Sequence, residues 1–309
     1  MKRGTLLFGV GVLVVIAAVV LSYLFVVAGR DYVPPPPPTP PTAALGAPSA
    51  RLAVAEGDVQ VRSGESDWLP VAQGETLDVG TRVRTGPDGR AVVAFGDDLK
   101  VRLASGSDVR VGEVRRELAR MVIGDGLVFA DVRPGAGPRL EITNERGEAV
   151  ATATDATFSV AGEAGGTLRA AVSRGSAQLT AQGQTVTLGP GYSSIVRPGG
   201  VPSKPSSVPG SLLLKVRWPT ETLTAARRQQ VSGTASPGAR VHVGAKPLWA
   251  DANGRFETVV DLREGKNRIE VRALDLGGHE AKTESPTIEL DTHAPKQVIE
   301  TSPDMWKQP

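Results

Sequence analysis

Between Arg51 and Asp291, apolar residues recur at strand length and strand period, and nearly every such run is closed by turn chemistry. LAVAEGDVQVR, RAVVAF, LKVRL, GLVFADV, RLEIT, TFSV, LRAAV and AQLTA either alternate apolar with polar or run apolar, as strands with one or both faces buried do. The separators Pro87-Asp88-Gly89, Gly96-Asp97-Asp98, Ser105-Gly106-Ser107, Gly124-Asp125-Gly126 and Gly165-Gly166 combine a fixed φ, a tolerance of positive φ and short side chains that bond their own backbone. The best helical stretch, Glu113–Met121, is short and reads equally well as an irregular strand. With 36 Gly and 24 Pro among 309 residues, composition points the same way. The expected fold class is all-β.

The N-terminus is different in kind. Thr5 to Ala28 contains no charged residue and, as a helix rising roughly 1.5 Å per residue, spans about 36 Å, enough to cross a hydrocarbon core near 30 Å. Lys2 and Arg3 before it orient the remainder outward, into the periplasm of an envelope with an inner membrane. The competing reading is a cleavable signal peptide ending at Val26-Val27-Ala28, but the apolar run is longer than the usual pattern. The prolines from Pro34 to Pro48 describe an extended spacer.

The formal charge is +2, and Lys2 and Arg3 account for it. Residues 51–197 carry 17 basic and 19 acidic side chains and residues 211–293 carry 12 and 11, so neither part has the electrostatic footprint of a nucleic-acid binder. There are no cysteines, hence no disulfide and no thiolate metal site.

The order EGDVQVR, DWLPVAQGETLDVGTRVRTGPDGRAVVAF, LKVRLASGSDVRV, then GDGLVFADVRPGAGPRLEITNERGEAVATATDATFSV and RAAVSRGSAQLTAQGQTVTLGPG, resembles a FecR domain over residues 51–197. The resemblance implies an extracytoplasmic all-β domain, whose namesake relays an outer-membrane signal to a cytoplasmic sigma factor. Two local departures are Asp155-Ala156-Thr157-Phe158, where the family often has glycine-threonine before its phenylalanine, and Asp97-Asp98-Leu99, where Asp-Gly-Ser is usual. A sigma regulator needs a cytoplasmic segment to hold the factor. The three or four residues before the apolar run are too few, so direct sigma-factor binding is not expected of this chain.

Gly199–Gly210 reads as a linker. Beyond it, LLLKVRW, QQVSGT, ARVHVG, RFETVVDL, NRIEVRALD and PTIELD suggest a small sandwich of seven strands. Gly233, Pro237-Gly238-Ala239, Asn253-Gly254-Arg255-Phe256, Gly265-Lys266-Asn267, Ala273-Leu274-Asp275 and Asp291 through Pro295 resemble bacterial Ig-like modules of the glucodextranase B-domain type, which implies a spacer or adhesion role and no chemistry. The expected order is a stub at 1–4, a membrane helix at 5–28, a proline-rich linker at 29–50, a FecR-like domain at 51–197, a linker at 198–210, an Ig-like β-sandwich at 211–295 and a disordered tail at 296–309.

No residue set points to catalysis, a cofactor or a metal. His242 alternates with Val241 and Val243 and reads as an outward strand position, while His279 reads as a turn residue. Asp251-Ala252-Asn253-Gly254 opens like a calcium loop, yet the other ligands are missing and the same letters make a hairpin turn. Trp68, Trp218 and Trp249 are the aromatics that could stack on a sugar ring, Trp68 and Trp249 being the binding candidates, with a core role as the plainer reading for each. The expectation is a non-enzymatic, single-pass envelope protein that binds or scaffolds cell-wall glycan or another envelope protein. A signalling component sensing an extracytoplasmic ligand is the alternative.

Overall fold

The structure is a computed structural model and describes residues 16–23, 49–135 and 137–293. The described residues from 49 onward belong to one compact unit, separate from that of residues 16–23. Of the expected membrane helix only 16–23 are described; they are helical, with Ile16, Val19, Val20, Leu21 and Tyr23 exposed. No helix among the described residues is long and apolar enough to cross a membrane. The remainder of 5–28, the polyproline run and the tail from 294 onward lie outside the described residues.

The rest of the described chain is all-β, and its first part is one continuous sheet. Three long strands organise it: Leu118–Val132, Ala149–Gly162 and Leu168–Ala181. Chain geometry forces the first of them to bend. Straight, it would separate Leu118 from Val132 by about 46 Å at roughly 3.3 Å per residue. Yet Arg139 lies beside Leu118 in a parallel pair, and the link from Val132 to Arg139 reaches about 25 Å at most.

The bend is written in the burial pattern. Ala119, Met121 and Ile123 face inward at odd positions, whereas Val128, Ala130 and Val132 face inward at even ones. The parity changes across Gly124-Asp125-Gly126, where Asp108 opposes Asp125 and Val109 opposes Ile123, so Gly124 is the extra residue of a β-bulge. Gly126 has φ +109°, and a Cβ there would lie 2.4 Å from the Ser107 Cα. Only glycine fits. The bend lets one strand serve two layers: its first half pairs with Asp108–Val114 and Arg139–Asn144, its second with Leu99–Leu103 and Ala149–Gly162. Leu52, Val93, Leu99, Val101, Met121, Phe158 and Leu179 pack between the layers.

The triplet that reads as a turn in sequence is therefore mid-strand, and the stretch readable as a helix, Glu113–Met121, is a tight β connection. AVATAT and TFSV are one strand, as are LRAAV and AQLTA. Within the presumed linker, Ser206–Ser207 pairs with Tyr192–Ser193 and Pro202 is buried.

Residues 214–290 form ten further strands, among the described residues, in three small sheets around a second core. Val231, Val241, Val271, Phe256, Ile288 and Leu290 fill it, with Trp218 packed against its side. Two strands not evident in sequence, Lys246–Trp249 and Glu280–Glu284, are the two edges of the four-stranded sheet. Edge positions tolerate Pro247 and a run such as EAKTE whose one apolar residue is Ala281, so neither leaves an apolar signal.

Candidate functional site

Where the two cores meet, one ion pair dominates, between a buried arginine and a partly exposed aspartate. The bulge projects Asp125 out of the bent strand. Arg240, on the strand Arg240–Val243, donates from Nη1 to Asp125 Oδ1 at 3.2 Å and pairs through Nη2 with Asp125 Oδ2. The same Nη2 donates to the Gly106 carbonyl at 3.0 Å. Trp249 Nε1 donates to Asp125 Oδ1 at 3.2 Å, and its ring lies 4.6 Å from the Arg240 guanidinium carbon. Arg240 is 1% exposed, the largest fully buried side chain of the described residues. A cation this deep is tolerated because it is charge-paired, hydrogen-bonded and stacked together.

The strand that carries Arg240 is buried on both faces. Val241 and Val243 enter the second core, while Arg240 and His242 point away from it. His242 is outward, as its alternation predicts, but the outward face is covered by the turn Ser105-Gly106-Ser107. A Cβ on Gly106 would lie 2.9 Å from His242 Nε2. Burial, with the cationic Arg240 and Arg272 adding to it, pushes the imidazole down to about 4 against the opposing pull of Asp125. His242 Nε2 has no hydrogen-bond partner.

Further bonds flank the pair. Ser159 Oγ donates to the Leu276 carbonyl at 2.6 Å, and Arg272 Nη2 donates to the Pro87 carbonyl at 2.9 Å. Arg169, ion-paired to Glu163 at 2.9 Å, lies against Gly238, where any Cβ would sit 2.6 Å from its Nη1.

Beside this joint opens a cleft of about 350 Å³ lined from both sides. From the first part come Arg90 and Arg102, on the outer face of paired strands whose inward positions are Ala91, Val93, Val101 and Leu103. From the second come Glu270, Arg272, Glu280 and Lys282. Glu270 is taken up by Arg272 at 2.9 Å and Lys282 at 2.6 Å. Arg102 stacks on Phe129 with its guanidinium carbon 4.4 Å from the ring centre. Among the described residues, neither Arg90 nor Arg102 has a carboxylate partner.

The residues singled out in sequence are placed as follows. Trp68 is partly exposed, but Arg62 and Arg84 lie 4.8 and 4.2 Å from its ring centre, so guanidinium groups occupy the stacking position. Trp249 belongs to the joint. The two tryptophans are not brought together into one platform. Asp251 Oδ1 accepts the backbone N–H groups of Asn253 and Arg255, closing a hairpin turn rather than a calcium loop. His279 Nδ1 lies 3.1 Å from Asp275 Oδ2 in its own turn. Glu264, Asp291 and His293 offer three exposed ligand atoms within 4.8 Å, and Glu264 already accepts from the Thr292 N–H and hydroxyl. Sequence reading missed Asp125 and Arg240. The available signal was a glycine-flanked acid inside a strand-length apolar stretch and an arginine alternating with valines.

Residues 81–178 match the family model described as FecR protein. That stretch holds Asp125, Arg90 and Arg102 but ends before Arg240 and Trp249. Two solved structures of a candidate anti-sigma factor from Parabacteroides distasonis ATCC 8503 are similar at 16% and 17% identity, each over 40% of this chain and 57% of the other, with TM-scores of 0.34 and 0.35. The chain thus spans a little over half the length of those relatives. A polysaccharide lyase, BACCELL_00875, aligns at 10% identity over 81% of this chain and 40% of its own, with a TM-score of 0.20. No curated protein matches.

Proposed function

We propose that this chain is a non-catalytic, membrane-anchored sensing component of a bacterial envelope, whose two β modules bind an extracytoplasmic ligand or partner as one body. The FecR match over residues 81–178 carries the signalling part of this reading. The apolar run at Thr5–Ala28 supports the anchor, with Lys2 and Arg3 on the cytoplasmic side and the modules in the periplasm. The Asp125–Arg240 pair, with its arginine buried, supports the single body, because a sensor made of two loosely tethered modules would dissipate a binding event at their linker.

Transcript profiling of cells lacking the chain tests the proposal. A defined set of transcripts should change and be restored by the full-length protein, whereas an unchanged profile overturns the signalling role. The joint also supports a second reading, a scaffold holding cell-wall glycan or an envelope protein at a fixed geometry. Its signature is an unchanged transcript profile together with enrichment of the full chain on peptidoglycan or crosslinking to an envelope protein in intact cells.

A further inference from the structure

We infer that the cleft beside the joint is a binding site for a sugar acid, a ring bearing a carboxylate and several hydroxyls. This deepens the binding role proposed above and rests on the cleft's own chemistry. Four cationic side chains line it, Arg90, Arg102, Arg272 and Lys282, against two acidic ones, Glu270 and Glu280. Glu270 is consumed by Arg272 and Lys282. That leaves Arg90 and Arg102 as a pair of exposed guanidinium groups with no carboxylate partner among the described residues.

Strand register holds these two together. Ala91 opposes Leu103 and Val92 opposes Arg102, so Arg90 and Arg102 are diagonal neighbours on one face. Stacking on Phe129 restrains Arg102 and leaves the N–H edge of its planar fork free, the geometry that grips a carboxylate with two parallel hydrogen bonds. Arg272 is likewise fixed, donating to the Pro87 carbonyl at 2.9 Å across the joint.

The rest of the lining suits the body of a sugar rather than a bare inorganic anion. Ala104, Leu274 and Ala281, all partly exposed, give an apolar wall for the C–H face of a ring. Ser105 and Glu280, which has no ion-pair partner among the described residues, are hydroxyl-bonding groups on opposite sides. The volume, about 350 Å³, falls at the small end of the range for small-molecule sites, roughly 300–1,000 Å³.

The source of such a ligand is either a free sugar acid or the end of an acidic glycan, and the test separates them. Titrate the full chain in detergent with galacturonic acid, its linear trimer, galactose and inorganic phosphate, using calorimetry at low salt. The inference expects the acid or the trimer to bind, galactose to bind at least tenfold more weakly, and 0.5 M salt to weaken the complex several-fold. A trimer binding much more tightly than the monomer assigns the site to glycan; equal binding assigns it to the free acid.

The double variant Arg90→Gln and Arg102→Gln should lose at least tenfold in affinity with an unchanged melting temperature, since both side chains are exposed. Arg90→Lys with Arg102→Lys should retain an intermediate affinity. No binding of either acid, binding of phosphate alone, or undiminished binding by the glutamine variant would overturn the inference. The transcript experiment reads a different property, so the sensing role and the ligand class can fail separately.

Discussion

At the residue scale, the chemistry of the joint turns on side chains whose environment comes from the other core. His242 illustrates this. Alternation with Val241 and Val243 correctly places it on the outer face of its strand, but no local pattern announces that Gly106 covers that face. The consequence is pH dependence. With both cores docked, the imidazole is held down to about 4; undocked or unfolded, it returns to roughly 6.5.

Between those values the open state binds the extra proton, so docking stability is complete above about pH 7 and is lost as pH falls. The loss is about 2 kcal/mol at pH 5 and levels off below pH 4. The groups facing this ring are Arg240, Arg272 and Asp125, and the two cations outweigh the single anion. The expected measurement is a melting temperature of the full chain that drops between pH 7 and pH 5, with His242→Gln reducing the drop. A drop of equal size in that variant contradicts this account.

At the scale of elements, strand existence was largely legible and strand continuity was not. Period two identifies GLVFADV, LRAAV and AQLTA, because each buries one face. It cannot reveal that LRAAV and AQLTA are one strand, because the intervening Ser173-Arg174-Gly175-Ser176 faces solvent. The same limit applies to Gly124-Asp125-Gly126, whose letters are those of a turn and whose place is a bulge. Edge strands escaped for a different reason, since Lys246–Trp249 and Glu280–Glu284 need no apolar period.

The bulge is the element on which the fold bends, and Gly126→Ala tests it. A Cβ against Ser107 at φ +109° should cost about 2 kcal/mol or more. Denaturant unfolding should show the loss, whereas a change within about 0.5 kcal/mol would mean the bend does not depend on this glycine. Gly124→Ala, at the same bulge without a positive φ, is the natural comparison.

At the scale of the whole molecule, the sequence divides by composition at Gly199–Gly210 and the two hydrophobic cores are separate, yet the described residues from 49 to 293 belong to one compact unit. What joins them is polar and long-range in sequence: Asp125 meets Arg240 and Trp249, Ser159 meets Leu276, and Pro87 meets Arg272. Such contacts leave no periodic trace, which is why tryptophans, weighed as core residues first and stacking candidates second, were visible in sequence and the Asp125–Arg240 pair was not. Trp68 carries its own guanidinium partners, and Trp249 is spent on Asp125. The cleft that remains available exists only while the joint is closed, because Arg90 and Arg102 form one wall and Arg272 and Lys282 the other. Binding and rigidity are thereby the same question.

The most direct measurement is calorimetric unfolding of the full chain beside Asp125→Ala, at neutral pH and the same detergent concentration. Removing the carboxylate leaves Arg240 buried without its counter-charge, a change whose upper bound is about 3–5 kcal/mol, the cost in fully buried pairs, because Asp125 is a third exposed. The account predicts one cooperative transition for the native chain. It predicts two transitions for the variant, one for each core, with the first markedly lower in temperature. Two independent transitions in the native chain, or a single transition left unmoved by the substitution, would contradict it.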